Sequence, residues 1–502
     1  MTELEHAARL ALENDDHSAA NLCCGHCHGT GSLFGDFVGS ETAFNCSRWN
    51  ELGQRHESGP VTPSLLGEYA GGERPRRAQM SGRKKLRGPT LLALALAVTA
   101  GACHDAVAPR GQERVAQLSQ SLTASETTVR DAANAFSFAL WDTINAAQNG
   151  SNVFISPLSA SFALGMTMTG ADSVTYDQMH AALQLGDASR SDVNDGYRSL
   201  MALLQSLDPD VQLQVANSIW YRNGFAVLPS FIDTTKADFG AAVQGLDFDN
   251  QPASLATING WVSKATGGKI PSVLDQISQD DKMFLINAIY FKGSWRTKFD
   301  PALTTSSTFT NSAGVAQPVQ LMHQSAGLAY TSGANYQAVD LPYGDSAFTM
   351  TVLLPNAGTS VESLAASLTP AAWQSLISGM RPTETVELWL PKMTLQYSRT
   401  LNSDLKALGM VEPFDTAGAY FTRMAAAPVG RQLYIEFVNQ NTFLDIDEAG
   451  TEAAAATTVA VGLFSATDLP PTVRVDHPFI LVIRERLTGT IVFMGKIVTI
   501  DP

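Results

Sequence analysis

The sequence predicts an α+β domain, because helical patterns dominate the first half of the chain and strand patterns dominate the second. Ser156-Pro157 begins one helix with an N-cap serine and a proline in the first turn. Residues 127–148 predict an earlier helix, ended by Asn149-Gly150. Its apolar side chains recur at helical spacing, at Val129, Ala133, Phe136, Leu140 and Ile144.

The strand patterns lie in the second half. Val386, Leu388 and Leu390 alternate with other side chains, which is the period of a β-strand. Four further apolar or β-branched runs predict strands at Thr349–Leu354, Leu433–Asp447, Pro478–Glu485 and Thr490–Val498. The chain therefore predicts helices packed on sheet rather than an all-helical or all-strand domain.

Composition narrows the class of protein. The chain has 502 residues, of which 45% are hydrophobic, and a formal net charge of −15. The hydrophobic share is typical of a globular core. A general nucleic-acid binder needs a basic face, so the charge argues against nucleic acid as a partner. The five cysteines all lie within the first 103 residues, so the rest of the chain folds without disulfides.

Residues 80–103 have the pattern of an export signal. Basic residues at 83–87 precede the apolar run 91–98, and Ala100-Gly101-Ala102-Cys103 follows. This ending resembles a bacterial lipoprotein signal, which implies lipidation at Cys103 and an extracellular or membrane-anchored protein. Such signals more often carry leucine where this chain has Ala100. Residues 104–126 are polar and alanine-rich, and we expect a flexible tether before one domain at 127–502.

The export signal lies far from the first residue of the chain. Residues 1–79 have no sustained helical or alternating pattern, so we interpret them as a spurious or disordered extension, with translation starting at Met80. The alternative is that the chain begins as written and that the apolar run anchors it in a membrane. Cys23-Cys24-Gly25-His26-Cys27-His28 has zinc-ligand chemistry but lacks a second paired set, so we expect no metal site or cofactor.

The residues that carry the function lie between 443 and 464. An apolar strand leads into Glu448-Ala449-Gly450, and small residues follow. Alanines 453–456 favour a helix, whereas Thr457-Thr458-Val459-Ala460-Val461 favours a strand. A segment that is a loop in one state and a strand in another needs small side chains and a glycine pivot. A polyalanine surface helix is the alternative.

The segment Glu448-Ala449-Gly450-Thr451-Glu452-Ala453-Ala454-Ala455-Ala456-Thr457 resembles the reactive-loop hinge of inhibitory serpins, and we call it the hinge. Other stretches extend the resemblance from about residue 127 to the end: Asn152–Ser159, Asn287–Trp295, Pro478-Phe479 and Phe493–Lys496. The resemblance implies the serpin fold, with helices packed on a large central sheet, further sheets and an exposed reactive loop.

The resemblance also implies a function. In serpins a protease cleaves the reactive loop, and the loop inserts into the central sheet while the protease is still attached as an acyl-enzyme. The implied protein is an inhibitor of serine proteases, with cysteine proteases as a further target class, and not an enzyme. We expect a monomer. Strand side chains alternate, so an inward Thr451 implies inward Ala453, Ala455 and Thr457 and an outward Glu452.

Counting from the hinge as the family does puts the cleaved bond between Phe464 and Ser465. Counting back from Pro478 moves it towards Thr467. Leu463 and Phe464 suit an apolar pocket, so we expect a chymotrypsin-like or subtilisin-like target. Basic residues are absent between Thr457 and Pro471, which argues against a trypsin-like target.

The resemblance further implies a polar cluster beneath the strands that part. Ser156, Ser159 and Asn287 match the family, but Gln440 stands where the family usually has histidine. Glutamine both donates and accepts hydrogen bonds, so the cluster is expected to persist without a group that titrates.

Two other functions are alternatives to protease inhibition. A hydrolase is disfavoured because the sequence lacks the G-x-S-x-G, H-E-x-x-H and P-loop motifs. The predicted domain contains only His180, His323 and His477, and we interpret His477 as structural. A non-inhibitory serpin that acts as a binding or chaperone module is the stronger rival. Such members tend to carry bulky or charged hinge residues, and this hinge is small.

Overall fold

The computed structural model describes residues 115–451 and 469–500. The helices in these ranges are α1 Ala124–Ala147, α2 Pro157–Met168, α3 Ser173–Ala182, α4 Arg190–Ser206, α5 Pro229–Phe239, α6 Gln251–Ala265, α7 Val361–Ser367, α8 Pro370–Gly379 and α9 Asn402–Ala407. The strands are β1 Val153–Ile155, β2 Val211–Arg222, β3 Ala242–Leu246, β4 Met283–Ser294, β5 Thr305–Thr310, β6 Ala316–Ser332, β7 Tyr336–Pro342, β8 Phe348–Pro355, β9 Arg381–Pro391, β10 Met393–Thr400, β11 Asn439–Ile446, β12 Gly450–Thr451, β13 Thr472–Arg474, β14 Phe479–Glu485 and β15 Ile491–Ile497.

Within the described ranges the strands form two sheets. The six-stranded sheet has the order β10-β11-β12-β4-β2-β3, and its strands are antiparallel except for the pair β2–β3. The nine-stranded sheet has the order β1-β15-β14-β8-β7-β6-β9-β13, with β5 paired to β6. Helices and mixed sheets together confirm the predicted α+β class. The first half of the chain is less purely helical than its pattern suggests, because it also contributes β1, β2 and β3.

Helix α1 begins earlier than predicted. The Thr123 side chain accepts a hydrogen bond from Glu126 N at 3.2 Å, and the Glu126 carboxylate accepts one from Thr123 N at 2.8 Å. This reciprocal capping box starts the helix at Ala124, so residues 124–126 belong to the domain and not to the predicted tether. Ala116 also contacts the domain, since it is 7% exposed and its N–H donates to Asp345 O.

The apolar stripe predicted for α1 is buried, with Phe136, Leu140 and Ile144 all fully covered. One predicted strand is shorter than its apolar run: Leu433–Asp447 becomes a strand only from Asn439. The residues before Asn439 bond to other segments instead of a ladder, for example Ile435 N to Pro413 O. Apolar composition alone does not distinguish a strand from an irregular segment whose main chain bonds to other parts of the domain.

Helix α2 lies inside the domain and packs against β4 and β15. The Ser156 side chain caps it by accepting a hydrogen bond from Ser159 N at 3.3 Å. Every residue of α2 except Ala163 is buried. The helix therefore forms a floor beneath the six-stranded sheet, and it positions the polar side chains at its first turn.

A buried ion pair joins three neighbouring strands of the nine-stranded sheet. Arg484 on β14 donates from Nη2 to the Asp340 carboxylate on β7 at 2.5 Å, and both side chains are less than 10% exposed. Thr351 on β8 bonds to both partners. Because all three groups satisfy one another, the charges are tolerated inside the domain.

We expect Asp340→Asn to destabilise the domain by about 3–5 kcal/mol, because it leaves the Arg484 guanidinium buried without a counter-charge. Denaturant unfolding measures the change. Asp195→Asn is the matched control, since Asp195 forms an exposed pair with Arg198 and its loss is expected to cost less than about 1 kcal/mol. Equal effects of the two substitutions would contradict the role given to the buried pair.

Candidate functional site

The structure brings the four predicted polar residues together at the first turn of α2. Gln440 on β11 uses both ends of its amide on one residue: Nε2 donates to Ser156 O at 2.7 Å, and Oε1 accepts from Ser156 N at 3.1 Å. The Ser156 hydroxyl donates to Val492 O at 2.8 Å. The glutamine therefore ties β11 to the start of α2 with two neutral hydrogen bonds.

The cluster continues towards β4 and β2. The Ser159 hydroxyl donates to Asn287 Oδ1, and Asn287 Nδ2 donates to Asn217 Oδ1 at 2.8 Å. Asn217 Nδ2 in turn donates to Phe239 O at 2.8 Å. Sequence reasoning missed Asn217, although a signal existed. Asn217 follows Val211, Leu213 and Val215 on the same face of β2, where a polar side chain is unexpected unless it has a partner.

A tight turn precedes the hinge and fixes its direction. The Asp447 carboxylate accepts hydrogen bonds from Ala449 N at 2.8 Å and Gly450 N at 3.1 Å. The indole of Trp295 donates to Asp447 O at 2.9 Å. The turn is therefore held both by its own side chain and by the segment that follows β4.

Glu448, the first hinge residue, is held by two partners. Lys392 Nζ donates to its carboxylate at 2.7 Å, and the Thr304 hydroxyl donates to the other oxygen at 2.8 Å. Burial by itself would raise the pKa of Glu448, but the hydrogen bonds from Lys392 and Thr304 outweigh it and lower the pKa. The side chain thus stays ionised and anchored on the strand connection between β9 and β10.

Gly450 and Thr451 already form strand β12 between β11 and β4. A Cβ on Gly450 would lie 2.2 Å from Gly293 O, so only glycine permits this approach. Thr451 is 3% exposed, and its hydroxyl bonds to the Tyr343 hydroxyl at 2.7 Å. Tyr343 stacks on Trp295 with ring centroids 4.5 Å apart. The first inward position of the hinge is therefore buried and hydrogen-bonded.

Beyond β12 the described residues leave the sheet unpaired between β4 and β11. Strand β4 pairs with β2 along one edge and β11 pairs with β10 along one edge. Among the described residues, the facing edges of β4 and β11 are joined only by Gly450 and Thr451. A cavity of about 520 Å³ separates the two strands further down, and Asn287 and Gln440 lie in its wall. The polar cluster thus lines the gap between the strands.

The rest of the predicted site lies outside the described residues. This holds for the remaining hinge and bond residues, for the lipidation site and for the cysteine–histidine cluster: Glu452, Ala453, Ala454, Ala455, Ala456, Thr457, Leu463, Phe464, Ser465, Thr467, Cys103 and residues 23–28. In the part of the chain that is described, no three metal-ligating side chains come together. None of the described helices is both long enough and apolar enough to cross a membrane.

The three described histidines, His180, His323 and His477, bond to carboxylate or main-chain oxygens. His323 Nε2 and the Ser325 hydroxyl both bond to the Glu387 carboxylate, at 2.8 and 2.7 Å. The imidazole is therefore not placed to take the serine proton, as a hydrolase requires. His477 bonds to Asp476 and to Pro355 O at 2.9 and 3.0 Å, which agrees with its structural interpretation.

Comparison with known proteins identifies the family. The family described as "Serpin (serine protease inhibitor)" matches residues 131–500. Iripin-8 of Ixodes ricinus is 34% identical over 359 residues, covering 69% of this chain and 87% of that protein. The structure of tengpin, a thermophilic serpin in the native state, has a TM-score of 0.68 and 30% identity, covering 77% of this chain and 97% of that one.

A second solved structure that is similar to this chain is, by its name, a thyroxine-binding protein. Human thyroxine-binding globulin, solved in complex with thyroxine, has a TM-score of 0.69 and 26% identity, covering 76% of this chain and 100% of that one. The family match spans both sheets and the helices between them. Together with the relatives above, it shows that the chain belongs to the serpin family of serine protease inhibitors.

Proposed function

We propose that this serpin inhibits serine proteases as a suicide substrate, by inserting its cleaved reactive loop between β4 and β11. The observation that carries the proposal is β12. Gly450 and Thr451 already occupy the space between the two strands, and the gap continues in the direction in which the chain runs. Insertion then extends an existing strand and does not need a new one to nucleate.

The register of β12 predicts where an inserted loop would lie. Thr451 pairs with Gly293 on β4 and with Ile446 on β11. Continuing both ladders places Thr457 opposite Asn287 on one side and opposite Gln440 on the other. The two registers agree, so the last hinge residue would reach the polar cluster, where its hydroxyl finds amide partners.

The same register predicts which hinge side chains turn inward. Ala453 would pair with Phe291, and Ala455 with Ile289. Phe291 and Ile289 are both buried in the main hydrophobic core, and Thr451 is buried as well. Because side chains alternate along a strand, these two alanines would enter the core while Ala454 faces outward. Small inward residues enter a packed interior without displacing their neighbours.

Insertion is energetically favourable. Each ladder hydrogen bond contributes about 0.5–1.5 kcal/mol net, so roughly a dozen bonds supply on the order of 10 kcal/mol. The protease serine first attacks the carbonyl carbon of the cleaved bond, forming an acyl ester and releasing the new amino terminus. If insertion is faster than hydrolysis of that ester, the protease stays attached and is displaced with the loop.

We expect Ala453→Arg to convert the inhibitor into a substrate. Insertion would bury a guanidinium without a partner, which slows it, and hydrolysis of the acyl ester then wins. The stoichiometry of inhibition should rise several-fold while cleavage persists. Ala454→Arg is the matched control and should have much less effect, because that side chain faces outward. Identical behaviour of the two variants would refute the proposed alternation or the insertion itself.

The target preference is part of the proposal. Phe464 precedes the proposed cleaved bond and suits the apolar pocket of a chymotrypsin-like or subtilisin-like protease. We expect Phe464→Arg to shift inhibition towards trypsin-like proteases, because their pocket selects a positive charge. Rate constants against a panel measure the shift. Mass spectrometry of the released peptide maps the bond, and cleavage after Leu463 or Thr467 would overturn the assignment to Phe464.

The same panel of proteases distinguishes an inhibitory serpin from a non-inhibitory serpin that acts as a binding module. An inhibitory serpin gives a protease complex that survives denaturing electrophoresis, because the acyl ester is covalent. Failure to form such a complex with chymotrypsin-like, subtilisin-like and trypsin-like proteases would favour a non-inhibitory role. The small hinge residues support inhibition, since an inserting strand has to be small and a static surface loop does not.

We also propose that the protein is exported from a bacterium and anchored through a lipid on Cys103, with translation starting at Met80. Expression from Met80 in a bacterial host is expected to give a mature chain that begins at diacylated Cys103. Intact-mass and amino-terminal peptide spectrometry test this. A Cys103→Ala variant should lose the lipid mass and the membrane association. An unmodified Cys103 inside a continuous chain would contradict the proposal.

A further inference from the structure

The cavity between β4 and β11 has unusual walls for the interior of a domain. Its volume is about 520 Å³, within the range of small-molecule sites. Several apolar side chains that line it are only half-buried, although their neighbours in the same clusters are buried: Val273, Leu285, Ile286 and Phe437. The cavity therefore presents apolar surface that a bound molecule would cover. The free energy of binding becomes more favourable with the apolar area that is removed from water.

The mouth of the cavity is acidic. Asp280, Asp281 and Glu436 line the cavity together with a single lysine, and we call this solvent-accessible part of its lining the mouth. Glu436 is exposed, but partial desolvation of its carboxyl group and its contact with the Asp281 carboxyl group raise the pKa of Glu436. A proton or a cation between these two carboxyl groups is therefore favoured.

The basic side chains beside this acidic mouth are engaged elsewhere. Lys282 Nζ donates to Gln279 O at 3.4 Å. Arg222 Nε donates to the main-chain oxygen of Asp281 at 3.0 Å, and its Nη1 pairs with Asp249 at 2.6 Å. The Asp281 carboxylate accepts from Ser278 N at 2.6 Å. The cavity lining has three carboxyl groups against one lysine, and this balance favours an incoming cation over an anion.

We propose that this cavity binds an elongated apolar molecule with a cationic end, whose apolar part lies between β4 and β11 and whose charge meets Asp281 and Glu436. Charge complementarity selects this class of ligand over a fatty acid, which has the same apolar part and the opposite charge. No covalent step is involved.

Binding would regulate inhibition, and this consequence rests on the proposed function. The ligand occupies space that the inserting loop needs, next to Asn287 and Gln440. A serpin with the cavity filled would still be cleaved, but its loop would insert more slowly. The ligand would therefore shift the outcome from trapped protease towards cleaved inhibitor.

The test uses three probes with the same ten-carbon chain, below their micelle-forming concentrations: decylamine, decanol and decanoate. Thermal unfolding reports binding without any protease, since a ligand of the folded state raises Tm. We expect decylamine to raise Tm by roughly 2–4 °C near saturation, decanol by less and decanoate least. Equal shifts from decylamine and decanoate, or no shift from decylamine, would overturn the proposal.

Two variants locate the site. Asp281→Asn combined with Glu436→Gln should remove the advantage of decylamine over decanol. Asp233→Asn combined with Glu384→Gln is the matched control, because both of these carboxylates are exposed and neither lines the cavity. Ala163→Met should fill part of the cavity and weaken both probes, since Ala163 lines it from α2. If Ala163→Met fails to fold, the double variant Asp281→Asn/Glu436→Gln, which we call the carboxamide pair, still tests the site. An unchanged preference of that variant for decylamine over decanol would refute the site.

The regulatory consequence has its own measurement. Decylamine should raise the stoichiometry of inhibition at least two-fold in the wild type and much less in the carboxamide pair. An unchanged stoichiometry together with a raised Tm would overturn the regulation. A wild-type chain that traps no protease without any probe would instead refute the proposed function, and the Tm result would still decide whether the cavity binds the cation.

Discussion

The gap between β4 and β11 is the constraint on which the rest of the molecule depends. Both strands are fully paired on their outer edges, whereas among the described residues only Gly450 and Thr451 join their inner edges. Unpaired strand edges attract another strand, and proteins normally cover or shorten them. In this protein the segment that could pair with these edges follows β12, which lies at one end of the gap. The unpaired edges of β4 and β11 and the small residues that follow Thr451 therefore serve the same step, which is insertion of the loop into the sheet.

The contacts at the top of the gap fix the register of β12 between β4 and β11. Asp447 closes the turn, Glu448 is fixed by Lys392 and Thr304, and Thr451 bonds to Tyr343. These contacts leave little freedom in where the hinge enters the sheet. A strand that starts in the wrong register turns all its side chains to the other face. A fixed start therefore decides which side chains meet the core during insertion.

The polar cluster that lines the gap joins α2 to β4 and β11, the strands that would part. Ser156 connects Gln440 with Val492, and Ser159 connects to Asn287 and onward to Asn217. A buried network in which each member has partners specifies one arrangement of its elements. The amide of Gln440 fulfils both hydrogen-bonding roles at any pH, because glutamine does not titrate in water. Separation of β4 from β11 at this level would therefore not depend on a protonation step.

The sequence by itself determined the helical stripe of α1, the cap of α2 and five of the described strands, because periodicity and caps are local properties of a chain. The hinge and four members of the polar cluster were predicted from short motifs that resemble a family, and of the hinge only residues 448–451 lie in the described part of the chain. The sequence pattern placed the start of α1 three residues late and extended β11 too far, since end positions depend on which partner a main-chain group finds. Only the tertiary structure decided the Lys392–Glu448 pair, the Tyr343–Thr451 bond, the role of Asn217 and the gap itself. These features join residues tens to hundreds of positions apart, and packing alone brings such residues within reach of each other.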